Sequence, residues 1–324
     1  MMSHELTSRP VTGADDLRVM ETLVSDAWNG PARPRVSLTV GDLEWWIANL
    51  GPGTDLAARA RLWLLGGEPV GWGWLNPRAE LHWFVVGGLA ADAEAGVRDA
   101  ILAWHAATAP GTETPDGLPR GLGASAPDGW SEAAHLVARG WTPTDDLFTE
   151  YHQPLDLDLD PPRVPDGYTL RTLRGPEDIP ARVEVHRAAF APSRMTVEKY
   201  EVLIRQPHYA FDRDVVVEAP DGSFAAFAMV WADPVAQVGE FEPVGVHPDH
   251  QRRGLGRVVM RHGLRLLRAA GIRDAIVFSL RTNTASEALY RSAGFEELAL
   301  DRRYTKPLPG DPAGAAGPPP TIGP

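Results

Sequence analysis

From residue 168 onward the spacing of apolar positions switches between two periods. Residues 168–173 follow a two-residue repeat and predict a strand, whereas 179–189 and 196–205 follow a helical repeat. Apolar runs at 215–218 and 224–231 flank Pro220-Asp221-Gly222, a turn signal that predicts a hairpin. The pattern then predicts a strand over 240–246, a helix over 256–270, a strand over 275–279, a helix over 284–293 and a last strand near 299–305. The first half has a similar order. Strands are predicted at 62–65 and 70–75 around Gly66-Gly67 and at 81–86, helices at 93–107 and 131–139, and a strand at 147–151.

Arg139-Gly140-Trp141 parallels Ala293-Gly294-Phe295: a helix end, a glycine, an aromatic residue, then a strand. The chain therefore reads as two copies of one α/β unit with little residue identity. Leu155 to Pro165 is acidic and rich in proline, which marks a boundary. Pro307 to Pro324 holds little but proline, glycine and alanine and is expected to be a disordered tail. The expected division is 1–154, a linker at 155–165, a second domain at 166–306 and the tail at 307–324.

The 324 residues suffice for two domains, and 44% hydrophobic with 23% charged content is that of a globular protein. There is no cysteine, so disulfides, thiolate metal sites and acyl-cysteine chemistry are excluded. A net charge of −12 argues against a general nucleic-acid binder and suits a cationic substrate. No apolar run approaches the roughly 18 residues of a membrane span, and the first residues lack a secretion pattern. A cytoplasmic location with no membrane partner is expected.

The densest chemistry lies in His247-Pro-Asp-His-Gln251-Arg252-Arg253-Gly254-Leu255-Gly256-Arg257. An apolar strand ends, a basic glycine turn follows, and a helix begins. Free N–H groups at a helix start, beside three arginines, make an anion site suited to a pyrophosphate. Two rival phosphate loops are absent: there is no Gly-x-x-x-x-Gly-Lys-Ser/Thr, and no Gly-x-Gly-x-x-Gly with an acidic residue about twenty positions on.

This loop, with Val244-Gly245-Val246 before it and Asn283, Tyr290 and Gly294-Phe295 after it, resembles the acyl-CoA site of the GNAT superfamily of N-acetyltransferases. The resemblance covers about residues 165–306. It implies an α/β fold of two tandem GNAT-like domains, each a mixed, mostly antiparallel sheet flanked by helices. It also implies acetyl-CoA as acyl donor, no metal, and direct transfer to a small-molecule amine. By the same resemblance, Val244, Gly245 and Val246 pair with the pantetheine arm, and the Val246 N–H polarises the thioester carbonyl. Gln251, Arg252, Arg253, Gly254, Leu255, Gly256 and Arg257 hold the phosphates, and Asn283 and Ser286 lie along the cofactor arm. Tyr290 occupies the general-acid position. Glu240, six residues before Val246, matches a catalytic or substrate-contacting glutamate of histone-type members. Glu242, two residues on along an alternating strand, is a second candidate base. Each residue also has a plain reading: strand core for the valines, a helix cap for Asn283, packing for Tyr290.

The first copy departs from this pattern. Residues 87–96, GGLAADAEAG, carry Asp92 and Glu94 and no basic residue before Arg98, so this copy is not expected to hold acyl-CoA. All of the eleven tryptophans except Trp231 lie in the first half, among them Trp45, Trp46, Trp63, Trp72, Trp74 and Trp83. They suit an aromatic core or a ligand platform. The segment 187–194 is a specificity lid or a plain connection. The tandem order is similar to that of the mycothiol synthases, so a mycothiol-type acceptor is one alternative. Antibiotic amines are another, and a non-catalytic acyl-CoA sensor is a third, from a different class. Monomer and homodimer are both compatible with the sequence.

Overall fold

The computed structural model describes residues 5–156 and 159–308. The expected tail from 309 on, and residues 157–158 of the expected linker, lie outside the described residues. In chain order the first elements are β1 (Leu6–Pro10), α1 (Ala14–Trp28), α2 (Val40–Leu50), β2 (Ala60–Leu65), β3 (Glu68–Leu75) and β4 (Leu81–Val85). There follow α3 (Ala91–Thr108), β5 (Leu122–Pro127), α4 (Ser131–Ala138), β6 (Thr142–Pro154), β7 (Thr169–Thr172), α5 (Ile179–Ala189) and α6 (Val197–Leu203). The last are β8 (Asp214–Glu218), β9 (Phe224–Asp233), β10 (Val238–Val246), α7 (Leu255–Ala269), β11 (Asp274–Leu280), α8 (Thr284–Ala293) and β12 (Glu296–Lys306). No described helix is long and apolar enough to cross a membrane.

The chain divides into two compact units, and neither is contiguous. Among the described residues the first holds 5–37, Gly53–Phe148 and 299–308; the second holds Leu38–Pro52 and the described part of Thr149–Leu298. This corrects the sequential division at 154. The end of β12 pairs antiparallel with β5 in the first unit, from Asp301 opposite Pro127 to Lys306 opposite Leu122. Arg302 fixes that pairing with two bonds of 2.8 Å to the Asp128 carboxylate. Helix α2, in contrast, belongs to the second unit.

The expected linker is also corrected. Leu155 is buried in the core of the second unit, its N–H bonds Arg273 O at 2.7 Å, and Leu159 and Val164 pack against the same core. The segment is docked because its apolar residues are spaced to reach that core.

In the first unit β1 to β4 form an antiparallel meander, and β5 lies parallel to β4. Trp63, Trp72 and Trp74 are buried there, so these tryptophans are core and not a ligand platform. In the second unit β7, β8, β9 and β10 are antiparallel and β11 runs parallel to β10. Helix α7 buries Leu255, Val258, Val259, Leu264 and Leu267 at helical spacing, while Arg257, Arg261 and Arg268 lie off that face.

The two units share one detail that fixes their register. Phe295 N–H bonds Tyr290 O and Gly294 N–H bonds Arg291 O; Trp141 N–H bonds Leu136 O and Gly140 N–H bonds Val137 O. Both helices thus end in the same glycine-capped motif, each with its glycine at positive φ. The repeat expected from sequence is present in these hydrogen bonds, and Leu136 occupies the place in the first unit that Tyr290 has in the second.

Candidate active site

Strand β10 is the spine of the site. It pairs with β11 only at Val238, Gly239 and Glu240, opposite Asp274, Ala275 and Ile276. Beyond that the recorded pairing stops while both strands continue, so the sheet splits. On its other side β10 stays bonded to β9 through Val246, opposite Ala226. His247 N–H bonds Ala225 O at 2.9 Å. Antiparallel strands alternate the direction of their backbone groups, so Val244 and Val246 turn theirs toward the split. A row of unpaired N–H and C=O groups there suits an extended amide arm. Gly245 faces the other way. A Cβ on it would meet the Phe227 ring at 2.5 Å and Ala189 at 2.9 Å, so its small size serves packing.

A bulge between Phe241 and Val244 resets the strand. Two residues, Glu242 and Pro243, stand opposite one on β9. Trp231 anchors it, its indole N–H donating to Glu242 O at 2.8 Å. Before the bulge Gly239 and Phe241 face α7, and Glu240 faces α2. After it Val244 and Val246 lie on the side of α7 and Gly245 on the side of α5. The simple alternation of the strand therefore does not continue from Glu240 to Val246.

Glu240 is fully buried and accepts a hydrogen bond from Thr39 Oγ1 of the α2 N-cap. Its Oε1 has no hydrogen-bond donor among the described residues. Asp42, one turn into α2, lies beside it and accepts from Thr39 N–H at 2.7 Å. Burial, then the charges of Asp42 and Glu242, push the Glu240 carboxyl well above the usual range. Burial lifts Asp42 to about 7. Glu242 is only partly buried, and desolvation with the Asp42 charge lifts it to about 8. Two carboxylates about 4 Å apart repel by about 4 kcal/mol at the effective dielectric of a protein, so the group retains protons at neutral pH.

Tyr290 sits on α8, buried, edge-on to Tyr151 with ring centroids 5.6 Å apart. Burial and the Glu242 charge raise its phenol above the ordinary value, and Ser286 hydrogen-bonds it. A phenol held neutral is a proton donor. Asn283 caps α8, its side chain accepting from Ser286 N–H at 3.1 Å.

The loop after β10 is built for an anion. Arg252 and Gly254 have φ of 59° and 79°, and Gly254 is the N-cap of α7 with no side-chain cap. A non-glycine residue in that left-handed region costs about 1–2 kcal/mol. The first bond of α7 is Val258 N–H to Gly254 O, which leaves the N–H groups of Leu255, Gly256 and Arg257 without a helical partner. Arg252, Arg253 and Arg257 are exposed and form no ion pair among the described residues, and Gln251 is exposed beside them. Unpartnered N–H groups and unpaired guanidinium groups together fit a pyrophosphate. Gly256 serves packing as well: a Cβ there would meet Leu289 of α8 at 3.0 Å.

Sequence reasoning missed Thr39 and Asp42. The signal was present: Thr39-x-x-Asp42 before an apolar run is a capping-box pattern, and the structure forms that box. In the segment 187–194, Phe190 packs on His186 and Phe227, which gives it a share in the core.

The second unit thus joins a split between parallel strands, an anion cradle at the following helix and titratable carboxyl and phenol groups beside it. Residues 183–295, from α5 to the glycine–phenylalanine step, match the acetyltransferase (GNAT) family.

The mycothiol acetyltransferase of Rhodococcus erythropolis is 32% identical over 162 residues, 45% of this chain and 52% of that protein. The mycothiol acetyltransferase of Streptomyces coelicolor is 30% identical over 184 residues, 54% of this chain and 60% of that protein. The chain thus spans about half the length of the curated relatives it matches. A tandem GNAT protein from the clavulanic acid biosynthesis pathway is similar in fold, with a TM-score of 0.63 at 18% identity, over 95% of this chain and 100% of that one. A GCN5-related N-acetyltransferase from Sphaerobacter thermophilus also has a TM-score of 0.63, at 17% identity, over 94% and 97% of the two chains. The tandem α/β fold expected from sequence is therefore present.

Proposed function

We propose that this protein is an acetyl-CoA-dependent N-acetyltransferase that passes the acetyl group directly to a small-molecule amine in its second unit. The observation that carries this reading is the split after Glu240, bordered by carboxyls on one strand, a buried phenol on α8 and an unpartnered anion cradle at its mouth.

The residues divide the work as follows. The α7 N-terminus with Arg252, Arg253 and Arg257 anchors the donor's phosphates, and the backbone of Val244 and Val246 aligns its amide arm. The Val246 N–H is the donor for the developing oxyanion, a role worth about 3–4 kcal/mol in enzymes where such a donor has been removed. Glu242, the partly exposed carboxyl, takes one proton from the acceptor's ammonium group. The freed nitrogen forms the C–N bond as the C–S bond breaks. Tyr290 gives its phenolic proton to the departing sulfur and regains one from the acylated nitrogen. One proton is released to solvent through Glu242. Glu240, fully buried, supports Glu242 and does not touch the acceptor.

A mycothiol-type acceptor, a cysteinyl-glucosaminyl-inositol amine, is the favoured second reading, because relatives 30–32% identical over about half the chain bear that name. Steady-state assay with acetyl-CoA against that amine, aminoglycosides and simple primary amines tests both. Transfer to at least one amine supports the enzyme reading, and transfer to the mycothiol precursor alone supports the narrower one. Tight acetyl-CoA binding with no transfer to any amine favours the acyl-CoA sensor.

A further inference from the structure

The α2 helix lies far from the active segment in sequence, yet it delivers a side chain to the spine of the site. Gly41 sits on Trp231, where an added Cβ would meet the ring at 2.5 Å, and Trp231 in turn holds the bulge at Glu242. That seating brings Thr39 Oγ1 to one oxygen of Glu240 and the Asp42 carboxyl to its side. The other oxygen, Glu240 Oε1, is buried with no hydrogen-bond donor among the described residues. A buried carboxylate oxygen left without a donor costs about 1–3 kcal/mol or more. The neighbouring group able to supply a donor is Asp42, and it can do so only when one proton sits between the two acids.

We propose that Asp42 is a positioning residue of the transfer site, sharing a proton with Glu240 and presenting the pair's remaining charge to Glu242. The role rests on the acetyl-transfer reading above. The titratable groups around it are few. On β10 they are Glu240 and Glu242; on α8 it is Tyr290, which responds to Glu242. On α5 His186 faces Trp45 of α2, and burial and Arg182 hold it neutral, lowered to about 3. On α6 Lys199 bonds Asn49 O at the far end of α2. No cation faces the three carboxyls from these groups, so the Asp42 charge acts on Glu242 unopposed. Burial, and then this charge, raise Glu242 from the ordinary carboxylate range to about 8, where a base can accept an ammonium proton.

Asp42→Asn tests this. Asparagine keeps an acceptor for Thr39 N–H and offers Glu240 Oε1 a permanent donor, so the cap and the packing survive. Carboxyl carbon NMR of the wild type is expected to show acids titrating near 7 and 8. In the variant the first is lost and the second falls by at least about half a unit. The acidic limb of kcat/KM moves down by the same amount, while the acetyl-CoA Kd changes less than about twofold. Should Asp42→Asn fold poorly, Glu240→Gln removes the same neighbouring charge and is expected to move Glu242 in the same direction. An unmoved Glu242 resonance and pH profile in a folded variant overturn the proposal, as does a wild type with no carboxyl titrating above about 6. Acids that titrate as expected in a protein that acetylates no amine overturn instead the transfer reading on which the role rests.

Discussion

The strand–loop–helix steps β4–α3 and β10–α7 are two answers to one scaffold. In each unit a strand runs into a loop and helix, and a parallel neighbour pairs with it only at its start: Leu81 with Ala124 in the first, residues 238–240 with 274–276 in the second. The chemistry then diverges. In the first unit the Trp83 indole N–H donates to Ser125 O at 3.1 Å, so a side chain of the unit itself bridges β4 and β5. Its α3 begins with Asp92 and Glu94, and Arg98 is buried in ion pairs with Glu94 and Glu132. The residue equivalent to Tyr290 in the first unit is Leu136, which has no proton to give. In the second unit no such side-chain bridge is found among the described residues, Arg252, Arg253 and Arg257 form no ion pair among them, and the Tyr290 phenol is present. A fold can thus keep the split geometry while a few residues decide whether an acyl donor has anything to bind.

The comparison is broken most severely at Tyr290. Tyr290→Phe makes the second unit resemble the first, and kcat is expected to fall by about 10²-fold or more with the acetyl-CoA Kd unchanged, read by steady-state kinetics and calorimetry. Equal turnover would remove the acid role. Glu242→Gln is expected to cost about 10- to 10²-fold in kcat/KM and to abolish the acidic limb near pH 8. A limb that stays in place would assign it to another group.

Smaller effects follow at the loops. Gly254→Ala places a Cβ at φ 79°, and the strain of about 1–2 kcal/mol is expected to weaken acetyl-CoA binding up to about tenfold. Arg98→Ala in the first unit should leave that affinity unchanged while lowering Tm, because it strips a partner from Glu94 and Glu132. The pH dependence of stability gives a milder test. Asp42 and Glu242 have raised values in the folded chain, which therefore binds more protons than the unfolded chain between about pH 4 and 8. Stability is expected to fall as pH rises through that window, and Asp42→Asn should flatten the fall. Denaturant melts at pH 5 and 8 check both statements.

Much of the second unit was legible because its elements are local: a loop, a helix start and a glycine–aromatic step each announce themselves within a few residues. Three features were not. The capping box Thr39-x-x-Asp42 could place a helix start, but nothing near it tells that Thr39 meets Glu240 some 201 positions away. Pro243 inside an otherwise regular strand was the sign of the bulge, which carries Val244 and Val246 onto the α7 side. Strand β5, Leu-Gly-Ala-Ser-Ala-Pro, has few strand formers and exists through its pairing with β12, a partner from the other end of the chain. Local pattern reveals an element, but not its distant neighbours.

Calorimetric titration of the whole chain with acetyl-CoA tests the central contrast most directly. One site per chain is expected, weakened by Gly254→Ala and retained at the same stoichiometry in Trp83→Ala, because unbridging β4 and β5 supplies no cation to the first loop. Two sites in the wild type, or none, would contradict the division of labour between the units.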